Sequence, residues 1–247
     1  MEEKRLSKAL AAAGVASRRA CETLIFEGRV MVNDAVVLVP QTLVNWERDR
    51  ITVDGSSVKK EQRKLYFFLN KPAGFLCTST RPKETDRIVL DLFSNYPERL
   101  FTVGRLDKET TGVLLVTNDG HFANQVIHPS SDIEKEYLLK SYEEVTEKHL
   151  KIMSKGAPVE GRWVRPLFVR KVRRGTVRIC VKEGKKHEVR ILAERAGLPI
   201  VELKRIRIGE LVLGPLPEGA FRPLTEKEKN YFLSKSKLAP RRSRRKI

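Results

Sequence analysis

Apolar positions near the start of the chain recur at helical spacing: Leu6, Leu10 and Ala13, then Cys21, Leu24 and Ile25. Gly14 closes the first predicted helix, Ser17 is placed to cap the second, and Gly28 stands where a helix end takes a left-handed residue. From Val30 the period drops to two. Val30 and Val32 alternate with Met31 and Asn33, Asn33-Asp34 offers a turn, and Val36 to Val39 form the return strand. This pattern predicts a small α+β module over residues 1–54. Residues 55–63, Gly-Ser-Ser-Val-Lys-Lys-Glu-Gln-Arg, have no apolar period and read as a linker. Over residues 64–230 short apolar runs lie between turn signals, at Leu65 to Leu69, Phe75 to Thr78, Val113 to Thr117, Tyr137 to Lys140, Val164 to Val169, Val177 to Val181 and Ile200 to Leu203. Helical periods fall around Phe122 to Ile127, Glu144 to Met153 and Glu188 to Ala196. Strands and helices do not alternate strictly, which predicts an α+β domain with a mixed, mainly antiparallel sheet flanked by helices. Residues 231–247 are too poor in apolar side chains to fold and are expected to form a disordered basic tail.

Charge adds a partner to this plan. The 247 residues hold 49 Lys and Arg against 31 Asp and Glu, and the net charge of +18 creates a field suited to a polyanion. The final 19 residues carry eight of the basic groups and no acidic one. Cys21, Cys77 and Cys180 are scattered and form no C-x-x-C pair, so neither a disulfide framework nor a zinc knuckle is expected. No apolar run approaches the ~18 residues of a membrane span, and no signal-peptide core follows Met1-Glu2-Glu3-Lys4-Arg5. The expectation is a cytoplasmic protein with no membrane partner.

Candidate chemistry is narrowed first by exclusion. There is no G-x-x-x-x-G-K-[ST] phosphate loop, no G-x-G-x-x-G turn and no G-x-S-x-G elbow, and His121, His128, His149 and His187 lack metal-ligand spacing. Neither cofactor nor metal is expected, so side chains must carry any reaction. Arg5, Ser17, Arg18, Arg19, Arg29 and Asn33 lie at helix starts and at the helix-to-strand corner of the first module, where phosphate contacts are readily made. The densest polar stretch is Val103 to Gly120, VGRLDKETTGVLLVTNDG. Asp107 sits there in a short loop bounded by Gly104 and Gly112 and followed by a buried strand, with Arg105 beside it to meet phosphate. Such a carboxylate can serve as nucleophile or base; on spacing alone, a turn Asp bonded to its own backbone remains open.

These residues resemble known families. Arg5 to Val37, RLSKALAAAGVASRRACETLIFEGRVMVNDAVV, resembles the S4 RNA-binding domain. G-R-L-D-x-x-T-x-G-x-L-L-x-T-N-D-G is similar to the catalytic motif of bacterial ribosomal RNA pseudouridine synthases, in the branch with an N-terminal S4 domain. Leu69-Asn70-Lys71-Pro72-Ala73-Gly74 resembles that branch's first motif, and Glu183 to Arg190 followed by Val201 to Gly209 its third. The resemblance implies a pseudouridine synthase catalytic domain over residues 64–230 and cofactor-independent isomerisation of uridine in ribosomal RNA or a pre-ribosomal particle by a monomer. The motif wording is closer to members acting on large-subunit than on small-subunit RNA. It further implies that Asp107 is the essential carboxylate, attacking C6 or C1′ or assisting a glycal intermediate. Tyr137 would pack against the uracil and move a proton, and Arg190 would pair with the carboxylate. Leu203 would wall the pocket, with plain core packing as an alternative, and Arg105, Lys185 and Lys186 would meet RNA. One departure is Ile191, where the family often has a second basic residue. The target nucleotide must leave its stack to react. Two other functions stay open: an RNA-binding assembly factor with a vestigial centre, and a nucleoside glycosidase using Glu109 or Asp119 as a second carboxylate.

Overall fold

The computed structural model describes residues 3–59 and 61–235. The described residues divide into two compact units, one formed by residues 3–59 and 61–65 with 95–100 and 118–120, the other by the remaining described residues. In the first unit β1 (Lys4–Arg5) leads into α1 (Leu6–Ala12), and α2 (Arg18–Phe26) follows after the turn at Gly14. The Ser17 hydroxyl accepts from the Ala20 amide at 3.2 Å, the N-cap bond expected of it. Next come β2 (Val30–Val32), β3 (Ala35–Val36), β4 (Leu43–Val44), β5 (Ile51–Val53) and β6 (Ser56–Ser57). Four of these form a sheet in the order β3-β2-β5-β6, while β1 pairs with β4. Leu6, Ala9, Leu10, Cys21, Ile25, Val30, Val44 and Ile51 make the core.

Two details of this unit differ from the sequence expectation. The return strand ends at Val36, and Leu38 and Val39 are exposed. The span 55–63 is not linker throughout. Asp54 and Gly55 both have positive φ, 50° and 74°, and form a two-residue hairpin turn that pairs Val53 with Ser56. Asp-Gly is a strong hairpin signal, and it was masked by the polar serines that follow.

The second unit is built on a nine-stranded sheet. Its elements run β7 (Tyr66–Lys71), β8 (Phe75–Leu76), β9 (Arg87–Ile88), β10 (Phe101–Val103), β11 (Thr110–Thr117), α3 (Gly120–Ile127), β12 (Lys135–Lys140), α4 (Glu147–Lys155), β13 (Ala157–Val159), β14 (Arg162–Val164), β15 (Phe168–Arg173), β16 (Thr176–Val181), α5 (Glu188–Arg195), β17 (Glu202–Ile208), β18 (Leu211–Val212), β19 (Phe221–Pro223) and α6 (Glu226–Lys235). The order β15-β16-β12-β17-β11-β7-β19 is antiparallel except at β17-β11, with β10 attached to β11 and β18 to β17. The mixed, mainly antiparallel α+β sheet expected from the sequence is therefore present. All eight residues of β11 are buried, which explains its continuous apolar run. On one face Phe68, Val113, Leu115, Phe122, Val126 and Phe232 share a core, tying α3 and α6 to the sheet.

The run Val164 to Val169, expected as one strand, is divided between β14 and β15, with residues 165–167 outside both. The expected boundary at residue 230 also fails. α6 continues to Lys235, and Phe232 is fully buried with its ring edge-on to Phe122 at 5.7 Å. Thr225 and Glu228 cap this helix reciprocally: the Glu228 amide donates to the Thr225 hydroxyl and the Thr225 amide to Glu228 Oε2. The remainder of the expected basic tail, residues 236–247, lies outside the described residues. Among the described residues no helix is long and apolar enough to cross a membrane.

Candidate active site

An open cleft of about 470 Å³ lies at the start of β11, whose first residue, Thr110, lines it. The loop between β10 and β11 brings Gly104, Arg105, Leu106, Asp107 and Lys108 to its edge, and the Thr110 amide closes the turn onto the Asp107 carbonyl at 3.0 Å. Gly112 lets β11 lie parallel to β17: φ is +101° there, and a Cβ would collide with the Arg205 backbone. Lys71, at the end of β7, is fully buried and uses its ammonium to donate to the carbonyls of Pro72, Lys108 and Thr110 at 2.9, 3.0 and 2.9 Å. It thereby ties the first motif to the Asp107 loop. Burial lowers its pKa, the nearby thiol and carboxylates opposing this only in part.

Asp107 is held from α5. Arg190 donates from Nε to Asp107 Oδ2 at 2.9 Å and from Nη2 to the Thr110 hydroxyl at 3.0 Å, so the guanidinium bridges both ends of the loop. Asp107 Oδ1 lies 3.3 Å from His187 Nε2. The two side chains of the ion pair are about one-third exposed, 33% for Asp107 and 31% for Arg190, so the carboxylate is anchored yet reachable from the cleft. The turn before α5 is set by Glu188, which is buried and accepts from the Lys185 amide at 2.9 Å. Desolvation raises the Glu188 pKa despite that bond.

Tyr137 lines the same cleft from β12 and is 8% exposed. A register shift between Glu136 and Tyr137 places Glu136 opposite Arg207 but Tyr137 opposite Arg205, skipping Ile206. Such a bulge re-aims the side chain at its edge. Beneath Tyr137 lies Arg205, 5% exposed, donating to the Val113 carbonyl at 2.7 Å and standing 3.5 Å from the tyrosine hydroxyl. Leu203, 3% exposed, is packed into the sheet and also lines the cleft.

The structure thus brings Asp107, Tyr137, Arg190, Leu203, Arg105, Lys185 and Lys186 to one cavity. Arg105 and Lys186 are exposed; the Lys185 ammonium is buried, 3.3 Å from Glu183 Oε2 without hydrogen-bond geometry. Neither Glu109 nor Asp119 lines this cleft; Glu109 borders a separate hollow and Asp119 pairs with Lys64. In the first unit Arg5, Arg18 and Arg19 are exposed. Arg29 and Asn33 are already engaged. Arg29 makes two bonds to Asp54, and Asn33 donates to Asp49 and accepts from the Arg50 amide. Sequence reasoning missed His187 and Arg205 as members of the site. His187 has an unusual left-handed φ of 57°, which no local pattern announces, and Arg205 hides among the other basic residues of β17.

Comparison with known proteins fits this geometry. Residues 65–195 match the RNA pseudouridylate synthase family, and residues 4–51 match the S4 domain. A putative ribosomal large subunit pseudouridine synthase of Arabidopsis thaliana, SVR1, is 45% identical over 227 residues, covering 84% of this chain; the chain spans 55% of that protein's length. An uncharacterized RNA pseudouridine synthase of Aquifex aeolicus is 42% identical, with 92% of this chain and 93% of that one covered. Ribosomal large subunit pseudouridine synthase B of Bacillus subtilis is 36% identical, with 91% and 93% covered. A crystal structure of a pseudouridylate synthase superposes with a TM-score of 0.66 at 28% identity, over 93% of this chain and 99% of that one. An S4 module ahead of this catalytic unit defines an RNA-modifying enzyme. The chain belongs to the RNA pseudouridylate synthase family.

Proposed function

We propose that this enzyme isomerises a specific uridine of large-subunit ribosomal RNA, acting as a cytoplasmic monomer on the RNA or on a pre-ribosomal particle. The observation that carries the residue assignment is the Asp107 carboxylate, fixed by Arg190 on one oxygen and reachable at the edge of a cleft walled by Tyr137. The relatives named for the large subunit support the choice of RNA.

Isomerisation breaks the C1′–N1 glycosidic bond, forms a C1′–C5 bond, releases the C5 proton and leaves a proton on N1. Asp107 carries the first step, by attack at C6 or C1′ or by assisting a glycal. Arg190 keeps the carboxylate aimed. Tyr137 packs on the base after it has swung round, and its hydroxyl is the group placed to move the C5 proton. Arg205 donates towards the oxygen of that hydroxyl, which leaves the tyrosine O–H free to point into the cleft. Arg105 and Lys186 meet the flanking phosphates, while Arg5, Ser17, Arg18 and Arg19 of the S4 module supply further affinity for the RNA.

The test is tritium release from RNA labelled at uridine C5, with carbodiimide mapping of both ribosomal RNAs from cells with and without the gene. Loss of one large-subunit pseudouridine on deletion is expected. Loss confined to small-subunit RNA would overturn the choice of RNA, and free uracil with abasic product would overturn the isomerase in favour of a glycosidase.

A further inference from the structure

We infer that the β13–β14 hairpin and the end of α5 form a second RNA contact on the catalytic unit, in which Trp163 stacks on an unpaired base and Arg162, Arg165 and Arg195 meet the adjacent phosphates. This rests on the reading that the substrate is RNA, but the site lies outside the cleft. Trp163 is 53% exposed, an unusual cost for so large an apolar ring. Its placement is rigid. The indole N–H donates to the Lys155 carbonyl at 3.0 Å, and the Arg195 guanidinium sits 4.7 Å from the ring centroid. Gly156, with φ +87°, permits the close approach, because a Cβ there would collide with the Val164 carbonyl and stand 3.0 Å from the indole nitrogen.

The charges around the ring are uncompensated. Arg162, Arg165 and Arg195 are exposed, and none pairs with a carboxylate among the described residues. The contrast with the adjacent hairpin is direct, since Lys171 and Arg174 there lie against Glu144, and Arg178 against Glu136. A half-exposed indole beside three guanidiniums that no carboxylate pairs, one of them stacked on the ring, is the chemistry that holds a single-stranded base and its phosphates. Arg190 and Arg195 share α5, about 7.5 Å apart along its axis and about 140° apart around it. The platform therefore takes RNA flanking the target and does not hold the reacting uridine.

The full chain contains two tryptophans, so Trp46→Phe leaves Trp163 as the sole emitter. Titration of that variant with a twelve-residue oligouridylate should quench its fluorescence. Trp163→Ala, in the otherwise natural chain, should bind the same oligouridylate about five- to a hundredfold more weakly, and Trp163→Phe should recover most of the loss. On ribosomal RNA, Trp163→Ala should raise KM and leave kcat within about twofold. Arg162→Gln with Arg165→Gln should flatten the salt slope by up to ~1.4. Unquenched emission at saturating oligouridylate, or Trp163→Ala affinity within twofold of the natural chain, would overturn the contact and leave a protein partner as the better occupant. Tritium release by the natural enzyme judges the isomerase separately. Release with unchanged Trp163→Ala affinity removes this contact alone, whereas quenching without release keeps the contact and removes the isomerase.

Discussion

Arg29 meets Asp54 with two hydrogen bonds of 2.8 and 2.7 Å, while Arg190 meets Asp107 with one of 2.9 Å and sends its other nitrogen to Thr110. The first pair closes on itself: both carboxylate oxygens are used, and Glu27 adds a third acceptor. Arg29 is held above its ordinary range by those carboxylates, and Asp54 is held below its own, chiefly by the same bonds. The second pair is open. One Asp107 oxygen is anchored, and the other faces His187 and the cleft. Neither pair is deeply buried, so strength does not separate them. What differs is the number of lone pairs left over. A stapled corner needs none, whereas a nucleophile needs at least one.

Removing the open carboxylate is the severest way to break this contrast. Asp107→Asn keeps the shape and cannot attack, so tritium release should fall below about one per cent of the natural enzyme, with RNA affinity and melting temperature almost unchanged. Residual turnover above that level would reassign the nucleophile.

Arg190→Ala comes next. The carboxylate stays in the cleft but loses its aim, and misplacement of a reacting group costs on the order of a hundredfold in rate. Breaking a fully buried pair would cost about 3–5 kcal/mol. With both side chains near one-third exposed the stability loss should be about 1 kcal/mol or less. Arg190→Lys should restore part of kcat. An Ala variant with full kcat would show that Thr110 and the loop backbone hold Asp107 unaided.

A third pair sharpens the comparison because it is closed and better shielded. Arg222 makes bonds of 2.8 and 2.6 Å to Glu228, which is 22% exposed. The Arg222 guanidinium is the main cause that draws the Glu228 pKa down to about 2. With the folded value below the ordinary 4.5, the stabilisation is complete above about pH 4.5 and disappears as pH falls through about 2. Glu228→Gln should cost on the order of 1–2 kcal/mol at pH 7, and its gap from the natural chain in urea melts should narrow below pH 4. A gap that stays constant to pH 2 would assign the loss to the helix cap and not to the charge.

Much of this was legible from local pattern. Leu6, Leu10, Cys21 and Ile25 gave the first unit its helices, and the apolar run of β11 declared a buried strand. Long-range pairings were not legible that way. Asp107 and Arg190 stand 83 residues apart, and only the resemblance of two motifs joined them. β17 was seen only at its first residues because Lys204, Arg205 and Arg207 interrupt the apolar alternation, although Arg205 is as buried as its apolar neighbours. α6 was missed for the opposite reason: one buried aromatic, Phe232, anchors a stretch whose composition is otherwise that of a solvated tail. Composition averages over residues, while packing is decided by single ones.

The smallest expected effect tests whether a closed pair still has charge to offer RNA. Arg29 already faces Asp54 and Glu27, so an RNA phosphate would gain little from it, whereas Arg19 has no ion-pair partner among the described residues and Arg18 only an i,i+4 carboxylate at 3.4 Å. Arg18→Ala with Arg19→Ala should weaken binding, raise KM with kcat preserved, and flatten the slope of log K against log salt by up to ~1.8. Arg29→Gln should move RNA affinity less than twofold and leave the melting temperature within error, because an exposed pair adds little to the fold. A loss of affinity at Arg29 equal to that of the Arg18 and Arg19 variant would mean that the corner opens on RNA and hands its guanidinium from Asp54 to phosphate. The two arginine–carboxylate pairs would then differ in what displaces the partner, and no longer in whether anything can.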